Sequence, residues 1–158
     1  MASIEDLKKI FLFKKLSDKD LEQILLITRL HEFEEQEAVF REGDRADAFY
    51  MLKRGKVLLE VDISDMISIS IASVKPGFSF GWSALIPDSF YTSHAICAEP
   101  SEVLSIIGME FIDLLRRDHA MGYYIMEGLV RIIQNRLERR TAQFLMLMSK
   151  HPDIQKLL

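Results

Sequence analysis

Apolar residues recur at helical spacing in the first segment, at Ile4, Leu7, Ile10 and Phe11. Ser17 followed three residues later by Asp20 has the form of an N-cap with an acidic partner, and predicts a second short helix through Leu21, Ile24, Leu25 and Thr28. From His31 to Val74 the period falls to two. Val57, Leu59, Val61 and Ile63 alternate with their neighbours, as do Ile67, Ile69 and Ile71, with Ser64, Asp65 and Met66 between the two runs. Alternate side chains of a strand point to opposite faces, so this pattern predicts a hairpin inside an all-β body. Further strands are predicted around Ala95 to Ala98 and Glu102 to Ile107, separated at Pro100. After Gly108 the helical period returns, first in Phe111, Leu114 and Leu115, then after Asp118 in a long run to about Lys150.

Within that run Met126, Val130, Ile133, Leu137, Arg140, Phe144 and Leu147 recur at alternating four and three residues, the spacing of a coiled-coil seam with one charge at Arg140. A helix of about 30 residues spans roughly 45 Å, more than a small β-roll covers. The excess predicts a homodimer through the C-terminal helix, with Met126, Val130, Ile133, Leu137 and Phe144 at its interface. Otherwise Phe144 to Met148 form an exposed apolar patch on a helix that is merely amphipathic.

Two stretches carry a family signature. Phe40, Arg41, Glu42, Gly43, Asp44, then Asp47, Phe49, Tyr50, Met51, Leu52 and Gly55, Lys56, Val57 punctuate short strands with turn residues, and Pro76 to Gly81 leads into Phe80, Gly81, Trp82, Ser83, Ala84 and Leu85. This order resembles the cyclic-nucleotide-binding domain of catabolite activator proteins, protein kinase regulatory subunits and gated channels. The resemblance implies a mainly β fold with flanking helices: a double-stranded β-helix, or cupin-like jelly roll, with N-terminal helices and a long C-terminal helix. One domain over residues 1–158 is expected, with helices in 1–30, the roll in 31–108, the phosphate cassette at 80–93 and helices again in 109–150.

The same resemblance marks two departures. The family places a glutamate after Phe-Gly to accept from the ribose hydroxyl, and here Trp82 stands there; an indole N–H only donates. The family's downstream arginine, which neutralises the cyclic phosphate, is also missing between Ile86 and Ala95. Ungapped counting puts Tyr91 at its position, and a one-residue gap puts Phe90 there. Cyclic nucleotide binding is therefore expected to be weaker than in typical members. If the cassette keeps its geometry, a short helix after Gly81 turns backbone N–H groups of Ser83, Ala84 and Leu85 into the roll. Ser83, Thr92 and Ser93 add hydroxyls, Tyr91 a phenol and Trp82 a stacking face. Two outcomes stay open: a small ligand other than a cyclic nucleotide, or a roll plugged by Trp82 and Phe90.

Composition narrows the function classes. The chain has 158 residues, 49% of them hydrophobic, a net charge of −4 and a single cysteine, Cys97. That suits one core, disfavours nonspecific binding to nucleic acid or anionic lipid, and precludes an intrachain disulfide. No apolar stretch approaches the roughly 20 residues of a membrane span, and a cytoplasmic address is expected. His31, His94, His119 and His151 are scattered without ligand spacing, so neither a metal nor enzymatic activity is expected. The helix-turn-helix that follows the long helix in catabolite activators is not expected in the residues from His151 to Leu158, and direct contact with nucleic acid is not expected either. Arg131, Arg136, Arg139 and Arg140 read as a charged solvent face opposite the seam. The expectation is a non-enzymatic sensor module whose ligand biases the C-terminal helix, read by an unidentified protein partner; the rivals are a scaffold with a filled pocket and an authentic cyclic nucleotide receptor.

Overall fold

Capping boxes open both N-terminal helices. In α1 (Ile4–Lys8) the Ser3 hydroxyl accepts from Asp6 N–H while the Asp6 carboxylate accepts from Ser3 N–H, and Ser17 and Asp20 repeat the arrangement in α2 (Asp18–Leu26). A 3₁₀ turn at Phe11–Phe13 buries Leu12 and Phe13 between them. The computed structural model describes residues 1–156, so the last two positions of the expected domain lie outside the described residues. Thr28 is not helical as its spacing suggested: it opens the first strand opposite Ile106, and its hydroxyl donates back to Ile24 C=O at 2.7 Å. A β-branched residue with a cross-strand partner gains more from the sheet than from a last helical turn.

Eight antiparallel strands make two four-stranded sheets. They are β1 (Thr28–Phe33), β2 (Ala38–Phe40), β3 (Ala48–Arg54), β4 (Val57–Ser64), β5 (Ile67–Val74), β6 (Ser79–Phe80), β7 (His94–Cys97) and β8 (Ser101–Ile107). One sheet runs β1-β8-β3-β6 and the other β2-β7-β4-β5, the jelly-roll arrangement of the expected fold. Buried residues of both sheets, including Phe49, Met51, Val57, Leu59, Ala95, Val103 and Leu104, form the core; β8 is buried on both faces, so the adjacent Val103 and Leu104 both contribute. The β4–β5 hairpin outruns that core: Ile63, Met66, Ile67 and Ile69 are exposed near its tip.

Two helices close the roll, α3 (Gly108–Arg117) and α4 (His119–Ser149), the latter capped by Asp118 accepting from Met121 N–H at 3.0 Å. At Gly108 a β-carbon would lie 1.9 Å from the Ala84 carbonyl oxygen, so this backbone contact between α3 and the cassette region admits only glycine. Helix α4 buries Met121, Ile125 and Leu129, packing on α3 and on the Phe11–Phe13 turn, and from Leu137 onward all of its residues are exposed. A final turn, α5 (Pro152–Gln155), was not anticipated from the apolar period.

Candidate functional site

Gly81 sets the geometry of the cassette. It sits at φ +72°, a region that favours glycine, and a β-carbon there would lie 2.9 Å from the Tyr50 ring and 3.2 Å from Phe40. The chain then turns through a 3₁₀ segment, Trp82–Leu85, the short helix expected there, but the Ala84 N–H expected to turn into the roll donates to Gly81 C=O at 3.2 Å. Phe80, before the turn, is fully buried and packs on Tyr50 and Phe40. Those rings and Tyr91 make an aromatic wall, with Tyr91 stacked on Phe40 at 3.7 Å between centroids.

Behind this wall is a cavity of about 500 Å³. Phe40, Leu59, Val61 and Ile71 line it from the sheet, Gly81, Trp82, Ser83, Tyr91, Thr92 and Ser93 from the cassette, and Ile133, Arg136, Leu137 and Arg140 from α4. Of the expected ligand residues, Gly81, Trp82, Ser83, Tyr91, Thr92 and Ser93 therefore come together. Phe80, Ala84, Leu85 and Phe90 do not border it. Phe80 belongs to the core, Ala84 is pinned under Gly108, and Leu85 faces a separate groove beside α3 and α4. Phe90 is 57% exposed and bridges to Arg45. Its outward position fits the ungapped register, which puts Tyr91 and not Phe90 in the cavity wall. Trp82 and Tyr91 border this cavity, and Phe90 does not.

Tyr91 offers little to a ligand beyond its ring. Its hydroxyl donates to Ala48 C=O at 2.6 Å and accepts from Ala48 N–H at 3.2 Å, which engages the group with backbone. Burial, chiefly, pushes its phenol well above the ordinary value. Ser83, Thr92 and Ser93 supply the remaining hydroxyls on the cassette side.

The sequence reading missed the α4 wall. Arg136 and Arg140, read as part of a solvent face, border the cavity, and Arg136 lies over the Trp82 ring with its guanidinium carbon 4.0 Å from the centroid. The signal was present in the spacing: the buried Met121, Ile125 and Leu129 and the partly buried Ile132 form a stripe that reaches Arg136 at the next step of four. Burial and the charges of Arg140 and Arg139 push the Arg136 guanidinium down to about 10. Ile133 and Leu137, expected at a dimer interface, lie at the cavity as well as on the exposed side of the helix.

Among the described residues no three His, Cys, Asp or Glu side chains cluster as a metal site, and no helix is long and apolar enough to cross a membrane. His94 instead bonds Asp62 at 2.9 Å and accepts from Glu42 N–H at 3.1 Å, which ties β7 to the hairpin.

Comparison with known proteins places this geometry. The family model described as "Cyclic nucleotide-binding domain" matches residues 30–118. The cyclic AMP receptor protein of Thermus thermophilus is 24% identical over 106 residues, which are 67% of this chain and 49% of the relative, so the chain spans about half of that protein's length. A Geobacter metallireducens protein classed as cyclic nucleotide-binding superposes with a TM-score of 0.75 at 31% identity, over 87% of this chain and 99% of that one. A cyclic nucleotide-binding domain from Methylobacillus flagellatus shares the fold at a TM-score of 0.77 and 19% identity, over 90% of this chain and 80% of that one.

Proposed function

The chain belongs to the cyclic nucleotide-binding domain family, and from that premise we propose that it is a non-enzymatic sensor whose roll takes a small ligand while α4 carries the response to another protein. The observation that carries this reading is the open cavity of about 500 Å³ shared by the cassette and α4. A volume of that size suits a small molecule, and a ligand in it touches both the rigid roll and the helix. Ligand binding then changes how α4 docks, since a ligand shifts an equilibrium by its differential contacts with the two states. The chain's net charge of −4 disfavours nonspecific contact with nucleic acid, and we take the partner to be a protein. We place the protein in the cytoplasm.

The ligand is not a tightly held cyclic nucleotide. Among the described residues no carboxylate lines the cavity to accept from a ribose hydroxyl, and the position expected for the cassette cation is Tyr91, whose hydroxyl is engaged with Ala48. A charge-assisted hydrogen bond contributes about 1.5 to 3 kcal/mol, so two lost contacts cost on the order of a hundredfold in affinity. Calorimetry with cyclic AMP should give a dissociation constant weaker than about 100 μM. Micromolar or tighter binding would make this an authentic cyclic nucleotide receptor. Hydrogen exchange tests the sensor reading itself: a bound ligand should change protection along α4, and a ligand that protects only the roll would remove the helix from the response.

A further inference from the structure

The cavity has a cation after all, carried by α4 rather than by the cassette. Arg136 is partly buried, lies over Trp82, and has only other arginines among its charged influences. Among the described residues Arg136 has no carboxylate within 4.0 Å; Arg29, Arg41, Arg117, Arg139 and Arg140 also lack one, but each of them is exposed to water and Arg136 is partly buried. Arg140 adds a second positive charge one turn further along the same cavity. Holding a desolvated cation beside like charges without a counter-ion is costly, and an anion entering the cavity removes that cost.

We propose that Arg136, seconded by Arg140, is the anion-binding group of this site and that its ligand is a small organic oxyanion, a carboxylate or a phosphate. The inference rests on the reading of the cavity as a ligand site. A guanidinium over an indole face keeps its in-plane N–H donors free, and their fork matches two oxygens of either anion. The apolar body of the ligand lies against Leu59, Val61 and Ile71, while Ser83 and Thr92 face it from the cassette. Because the cation rides on α4, the anion ties helix to roll directly. An arginine in the cassette would hold the charge wholly within the roll.

Trp82 is the chain's single tryptophan, so its indole N–H gives one resonance that reports on this cavity alone. The test follows that resonance in the full chain during titration with glutarate, benzoate, cyclic AMP and the neutral nucleoside adenosine, in wild type, Arg136→Met and Arg136→Lys. At least one anion should shift it saturably, about tenfold more tightly than adenosine, and the binding should weaken as salt is raised. Arg136→Met should weaken that anion about tenfold or more, and Arg136→Lys should retain part of the affinity. Glutarate or benzoate binding without cyclic AMP assigns a carboxylate, and the reverse assigns a phosphate. Anion binding within about twofold of wild type in Arg136→Met, or adenosine binding as tightly as the anions, overturns the inference and leaves the sensor reading standing. If no probe moves the resonance at about 10 mM, the inference and the reading of the cavity fail together. Should Arg136→Met not fold, the salt dependence and adenosine comparison in wild type decide alone: salt-independent anion binding overturns the inference.

Discussion

Tyr91 shows how one residue can occupy a ligand-contact position and serve the scaffold instead. Its ring stacks on Phe40 and its hydroxyl makes two bonds to the Ala48 backbone. Tyr91→Phe should keep the stacking and leave the Ala48 N–H and C=O without these bonds. A loss of about 1 to 3 kcal/mol is expected in urea denaturation, with anion binding at the cavity little changed. An unchanged denaturation midpoint would mean that Ala48 finds water in place of the phenol. Trp82 was legible in the sequence as a departure because it stands between residues that match the family pattern. Its contact with Arg136 was not, since 54 positions of chain separate them and only folding brings α4 across the cassette. Arg136 itself sat on the right stripe, but a charged residue at the end of an apolar stripe reads as its boundary.

At the scale of elements, α4 divides into a docked half and a free half. Met121, Ile125 and Leu129 are buried, whereas Val130, Leu137, Phe144 and Leu147 are each at least 60% exposed. Exposed apolar side chains in heptad spacing on a helix are the substrate of a coiled coil, and we expect a dimer through this face. Leu137→Arg disturbs the cavity as well as the seam, so Phe144→Arg with Leu147→Arg is the cleaner test. Light scattering at tens of micromolar should give a dimer for wild type and a monomer for the double variant, because an unpaired charge in an apolar interface is poorly solvated. A wild-type monomer would leave the seam to another partner. Most of the elements were legible because periods of 3.6 and 2 are written locally. Thr28 was assigned to the wrong element because its β-sheet partner, Ile106, lies far along the chain.

For the molecule as a whole, an ionic cluster fastens the N-terminal helix to the roll. Lys53 lies 3.5 Å from Asp6 and 2.8 Å from Glu102, joining α1, β3 and β8. Burial raises the Asp6 carboxyl, but the Ser3 hydrogen bonds and the Lys53 charge outweigh it and hold the group below its ordinary value; Lys53 does the same for Glu102. Both folded values are depressed, so the stability they supply is complete above about pH 4, the ordinary carboxylate value, and is lost as pH falls through the lower folded values. Melting temperatures should therefore decline with acid, and the decline should be shallower in Lys53→Met. Parallel curves for the two proteins would show that other carboxylates govern acid stability.

What the sequence determined by itself was the order of elements, the Ser17–Asp20 cap, the hairpin, the seam spacing and the family cassette, because each depends on residues close together in the chain. The tertiary structure decided what the cassette faces. Whether Trp82 and Tyr91 fill the roll or wall a cavity depends on how two sheets and a helix pack, and no local period records that. The charge of the site came from α4 for the same reason: a cation's role follows from what desolvates it and what surrounds it, and for Arg136 both are set by residues distant in sequence.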